Sequence, residues 1–199
     1  MKDYWVYAVM ILVILITTVL SQDAVPLLRF DRELIAQGEW WRLWTASWVH
    51  LSPQHALGNG LGVLLLGYIS GASLSNRLGL LVLFWTVMLV GIGLYWFAPD
   101  LQRYVGLSGA LHGLLLLAPF VSPFYRLRVA LIFAVVITVK VIWEQSGHYD
   151  DLFMSDWIQG RVEARSHLWG LIAGISALLV WLLRQHFLQQ KQVNDTDGR

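Results

Sequence analysis

Gly106-Leu107-Ser108-Gly109 opens an apolar run that continues from Ala110 to Phe120. The flanking glycines leave the serine hydroxyl uncrowded. A hydroxyl at a helix N-terminus also has unsatisfied backbone N–H groups beside it, which suits a developing oxyanion. His167 opens a second apolar run later in the chain. The two together suggest a serine nucleophile and its base held between membrane helices. His55 and Asn59 stand four residues apart, on one helix face, and both can donate a hydrogen bond to one point, as a tetrahedral oxyanion requires.

Each of these residues has a plainer reading. Ser108 with its glycines suits simple helix packing, His55 and Asn59 suit interhelical hydrogen bonding, and His167 suits a lone interfacial imidazole. His50, His55 and Asn59 could also hold a metal, but no acidic residue accompanies them, which argues against a hydrolytic zinc site. Neither metal nor cofactor is expected. His112 lies one turn after Ser108 and is the other candidate base. His167 is favoured, because a residue one turn deeper points alongside Ser108 and not across the cavity; His112 would then pack under His167 and orient it. No acid is evident near His167, and the nucleophile-elbow pattern is a poor match because Ala110 follows Gly109. Lys140 and Glu144, four apart, are expected to pair with each other, a proton relay being the lesser reading. Asp150, Asp151 and Asp156 read as a solvated acidic loop that could move aside for a substrate.

These residues need apolar elements to position them. The 199 residues are 57% hydrophobic and 14% charged, with a mean hydropathy of +0.58, where a soluble domain carries about 25% charge. The chain reads as an all-α integral membrane protein. Six spans are expected, near Tyr4–Leu20, Pro53–Ser70, Leu78–Phe97, Ser108–Val121, Leu127–Ile142 and His167–Phe187. Residues 1–188 form the membrane domain, and 189–199 a polar, disordered tail. The fourth span, about 14 residues or roughly 21 Å long, is shorter than the ~30 Å hydrocarbon core, so Ser108 should lie below the bilayer surface. The absence of cysteine excludes disulfides and thiolate chemistry. A net charge of +1 without a basic patch gives no reason to expect nucleic acid. Arg77, Arg126 and Arg128 sit in tight turns and, with Lys2 and Arg199, put both termini in the cytoplasm. The first loop, Ser21–Ser52, carries Glu39-Trp40-Trp41-Arg42 and should lie along the interface as a short amphipathic helix, with Arg42 snorkelling or paired to a carboxylate. Gly170 and Gly174 give the last span a face for close helix approach. No internal repeat of the kind transporters show is visible.

Taken in order, Glu39-Trp40-Trp41-Arg42, His50 through His55-Ala56-Leu57-Gly58-Asn59, Gly106-Leu107-Ser108-Gly109 and Ser166-His167-Leu168-Trp169-Gly170 resemble the motifs of the rhomboid intramembrane serine proteases, with Ser166 where the family has alanine. The resemblance implies a six-transmembrane-helix rhomboid-like bundle with a large interfacial first loop. It also implies a Ser108–His167 dyad without an acid, and an oxyanion hole from His55, Asn59 and the Ser108 amide. His50, Gly106, Leu107, Gly109, His112, Trp169 and Gly170 would line the site. His112 departs from the tyrosine usual at its position. The stretch Tyr104 to Gly113 is similar to the rhombosortase subfamily. That implies a bacterial inner-membrane enzyme opening to the periplasm and cleaving a C-terminal tail made of Gly-Gly, an apolar helix and basic residues, with hydrolysis or sortase-like transfer to an amine. A general rhomboid protease and an inactive rhomboid-like client binder are the alternatives.

Overall fold

The apolar runs fold as helices in a computed structural model that describes residues 4–146 and 148–197. Lys2, Gly198 and Arg199 lie outside the described residues. The elements are α1 (Trp5–Val19), α2 (Ser21–Leu28), β1 (Phe30–Asp31), α3 (Arg32–Ala36), α4 (Arg42–Thr45), α5 (Pro53–Ser70), α6 (Arg77–Phe97), β2 (Arg103–Tyr104), α7 (Ser108–Val121), α8 (Leu127–Glu144), α9 (Leu152–Ile158) and α10 (Ala164–Asp197). Helices thus stand at each of the six expected places. Pro53–Leu74, Arg77–Phe97 and Ala164–Lys191 are long and apolar enough to cross a membrane, and α1 with α2, bent by 108°, makes a fourth if the pair is one span. α7 has 14 residues, and α8 carries Arg128, Lys140 and Glu144. The last helix continues to Asp197, over residues expected to form the irregular tail.

α7 is the central post, packed against α5, α6, α8 and α10. A helix apolar on all sides belongs in the middle of a bundle, and Ala110 and Ala118 of α7 are fully buried. Its closest partner is α10. A Cβ on Gly170 would strike the Gly109 carbonyl oxygen, one on Gly113 the Gly170 carbonyl, and one on Gly174 the Gly113 backbone. The two backbones therefore touch along a seam of glycines, the small-residue packing that membrane helices use.

The first loop is folded back onto the bundle. Its Arg42 is buried rather than snorkelling: Nε donates to Glu39 at 2.7 Å, and Nη1 donates to the Pro26 and Arg29 carbonyls at 3.0 Å. Trp40, Trp41 and Trp44 face outward, while Trp48 is buried. Arg32 reaches α6 and donates to the carbonyls of Leu94, Tyr95, Ala98 and Leu101 at 2.8–3.0 Å. A cation at this helix C-terminus complements the helix dipole. At the opposite end of the bundle the Tyr7 hydroxyl shares a 2.6 Å hydrogen bond with Ser70 and donates to the Gly71 carbonyl at 3.0 Å, which fixes the start of α1 against the end of α5.

Gly170→Val should lower stability by about 1–3 kcal/mol, the usual cost of forcing atoms into a filled contact. Thermal unfolding in detergent measures this. Gly60→Ala, whose Cβ meets nothing within 4 Å, is the control and should leave the midpoint unchanged or raise it.

Candidate active site

The approach to Ser108 is built by the first loop. β1 pairs antiparallel with β2, Phe30 opposite Tyr104. The Gly106 N–H donates to the Ala46 carbonyl at 3.0 Å, and the Tyr104 hydroxyl donates to the Gly106 carbonyl at 2.7 Å. Burial pushes the Tyr104 phenol up to about 12, so it stays a donor. Gly106 takes φ +116°, a conformation that side chains rarely adopt, and a Cβ there would lie 2.6 Å from His55 Nε2. Beyond Leu107 the chain turns into α7, and no side chain caps the N–H groups of its first turn.

Ser108 Oγ lies 3.0 Å from His167 Nε2 at the start of α10. The glycine seam is what permits this, since Gly109 and Gly170 flank the pair on the two helices. His167 stacks on His112, with ring centroids 4.1 Å apart and planes 26° apart. His112 Nδ1 lies 2.7 Å from the Ser108 carbonyl, and Lys140 Nζ lies 2.8 Å from His112 Nε2. An ammonium only donates, so Nε2 accepts and the ring proton sits on Nδ1, shared with the Ser108 carbonyl. Both His112 nitrogens are therefore occupied, and neither faces the Ser108 hydroxyl as an acceptor.

One expectation needs correcting. An acid does stand beside His167: Glu144 Oε2 lies 2.9 Å from His167 Nδ1, with both side chains buried. Lys140 does pair with Glu144, at 2.5 Å, but through the other oxygen, Oε1. Lys140, one turn away, is the partner the spacing gives Glu144, and nothing in that spacing points to His167.

His55 and Asn59 line the same cavity as Ser108, His112 and His167, a space of about 500 Å³. The Ser52 hydroxyl accepts from the His55 N–H at 3.1 Å and caps α5, while donating to the Ile158 carbonyl at 2.8 Å, which ties α9 over the cavity. The Leu51 N–H donates to His55 Nδ1 at 3.4 Å, leaving Nε2 as the protonated nitrogen toward Gly106. Asn59 donates one amide hydrogen to the His55 carbonyl at 3.1 Å and keeps the other. α5 and α8 flank α7 on either side of the cavity, and Met154 and Trp157 of α9 complete its wall. His50, Gly106, Leu107, Gly109, Trp169 and Gly170 stand behind the wall. His50 packs edge-on against His55 at 5.1 Å, and Trp169 lies against Gly93 and Phe97. The arrangement sets a serine hydroxyl within hydrogen-bond distance of an imidazole nitrogen, with hydrogen-bond donors lining the same cavity.

Gly106→Ala should cost about 1–3 kcal/mol through backbone strain alone, and it should also push the His55 ring aside. The unfolding midpoint in detergent measures the first effect, and the change in His55 imidazole resonances the second.

The family model for the rhomboid domain matches residues 37–185. No curated protein matches the chain. The matched stretch holds α4 through most of α10 and every residue of the cavity that carries the chemistry just described. The chain belongs to the rhomboid family.

Proposed function

We propose that the chain is an intramembrane serine endopeptidase with Ser108 as nucleophile and His167 as general base. The observation that carries this reading is the 3.0 Å contact between Ser108 Oγ and His167 Nε2 inside the helix bundle. A substrate helix enters between α5 and α8 and unwinds at small residues, which glycine favours by ~1 kcal/mol per residue. Ser108 Oγ bonds to the peptide carbonyl carbon as His167 Nε2 takes the hydroxyl proton. His55 Nε2–H, the free Asn59 amide hydrogen and the Ser108 N–H hold the oxyanion. The C–N bond then breaks, and His167 returns the proton to the leaving amine. Water resolves the acyl ester, or an amine does so in a transfer reaction. His112 buttresses the base.

The finer reading is a six-span, rhombosortase-like enzyme of a bacterial inner membrane. Its substrates would be surface or secreted proteins with a C-terminal tail of Gly-Gly, an apolar helix and basic residues. The stretch Tyr104 to Gly113 supports it. So does crowding of the α5 wall by Trp157 against Gly58 and Leu111 against Gly62, which suits small residues at the cut. Arg77, Arg126 and Arg128 lie at the end of the bundle away from Ser108, which favours a periplasmic opening.

Cleavage of a reporter bearing such a tail, in detergent or liposomes, tests the proposal. Ser108→Ala and His167→Ala should reduce cleavage to background with the unfolding midpoint unchanged. Asn59→Ala should cost ~10²–10³ in kcat, and His112→Ala should retain activity above background. Activity surviving in His167→Ala but lost in His112→Ala would move the base role to His112. Mass spectrometry of the new C-terminus reads the bond cut and separates hydrolysis from transfer to an amine.

A further inference from the structure

We propose that Glu144 is the third member of a Ser108–His167–Glu144 triad, a positioning residue acting through the base; this rests on the protease reading above. The dyad that the family resemblance implies has no such group. Here the buried carboxylate of α8 meets Nδ1 of the α10 histidine at 2.9 Å, while Nε2 of the same ring meets the serine at 3.0 Å.

Three features give the carboxylate a defined task. The first is the tautomer. An ionised carboxylate only accepts, so His167 carries its proton on Nδ1 and presents a bare Nε2 lone pair to Ser108. The stack on His112 fixes the ring plane, and the carboxylate fixes its rotation within that plane.

The second is charge. Glu144 is buried, and an unpaired buried carboxylate would be strongly disfavoured. Lys140 supplies the counter-cation through Oε1, leaving Oε2 for His167. Ligand atoms of His112, Glu144 and His167 converge within 4.8 Å of one another, and the Lys140 ammonium already stands against two of the three residues. The cluster is therefore a neutral ion pair at rest.

The third is the reaction. When Ser108 Oγ bonds to the carbonyl carbon, its proton passes to His167 Nε2 and the carbonyl electron pair moves onto oxygen. The site then holds Lys140 and His167 as cations, with Glu144 and the oxyanion as anions, so the net charge is unchanged. Glu144 takes no proton; it stabilises the imidazolium through the Nδ1–H bond. When the C–N bond breaks, the proton leaves Nε2 for the amine and the ring returns to its starting tautomer.

The test is steady-state cleavage by Glu144→Gln and Glu144→Asp in detergent, with unfolding midpoints measured alongside. A Gln amide can donate to Nδ1 and so hold the ring in the wrong tautomer. Glu144→Gln should lower kcat by ~10²–10⁴ with KM within about twofold of wild type. Glu144→Asp, which keeps the charge, should recover at least tenfold over Gln. A Glu144→Gln kcat within about threefold of wild type would overturn the triad. So would equal losses in Gln and Asp that follow a fall in the unfolding midpoint. Should Glu144→Gln fail to assemble, nitrogen-15 histidine labelling of the wild-type chain decides. A strongly deshielded Nδ1–H proton, assigned to His167 by its loss in His167→Ala, is expected, and a His167 ring protonated on Nε2 would overturn the proposal. Wild-type protein that cleaves normally beside an unaffected Glu144→Gln refutes the triad alone. A wild-type chain that cleaves nothing refutes the protease reading and the triad with it.

Discussion

Backbone contact between α7 and α10 is the constraint on which the rest depends. A serine on one helix and an imidazole on another meet within hydrogen-bond distance only if the helix axes come closer than ordinary side chains allow. Gly109, Gly113, Gly170 and Gly174 remove those side chains, and each faces backbone of the other helix. In lipid, where apolar burial gives helices little reason to associate, this close packing must also supply much of the attraction. The site and the stability of the bundle therefore draw on the same contact.

The remaining elements settle where that contact points. α7 begins where β2 and the turn at Gly106 end, and these are held by the first loop through β1 and the Ala46 carbonyl. The loop is itself anchored by Arg32 on carbonyls at the end of α6 and by buried Arg42. A loop outside the bundle core thus fixes the position of the first residue of the central helix. On the far side, Ser52 caps α5 and holds α9, so that the walls bearing His55 and Asn59 and the cover bearing Trp157 are joined through one hydroxyl.

Much of this was legible in the sequence, for a physical reason. Polar side chains in apolar runs are costly, so Ser108, His167, His55 and Asn59 stood out, and the glycine spacing in α10 announced close packing. The role of Glu144 was not legible. Lys140 four residues away offered a sufficient local partner, whereas His167 lies 23 residues on and reaches the carboxylate only because α8 ends where α10 begins. His50 and Trp169 were expected in the cavity wall from their place in the motifs, yet the fold turns them onto His55 and onto α6. Of the two readings of Arg42, the carboxylate partner is present, as Glu39, and the snorkelling is not. Its guanidinium also donates to the Pro26 and Arg29 carbonyls, contacts visible only once the first loop is seen to fold back.

Covalent trapping of the serine tests the central claim most directly. After exposure to a fluorophosphonate in detergent, intact-mass and peptide mass spectrometry should find a single adduct on Ser108. The adduct should be absent from Ser108→Ala and reduced to background in His167→Ala. An unmodified Ser108 in folded wild-type protein, or equal labelling in His167→Ala, would contradict the account.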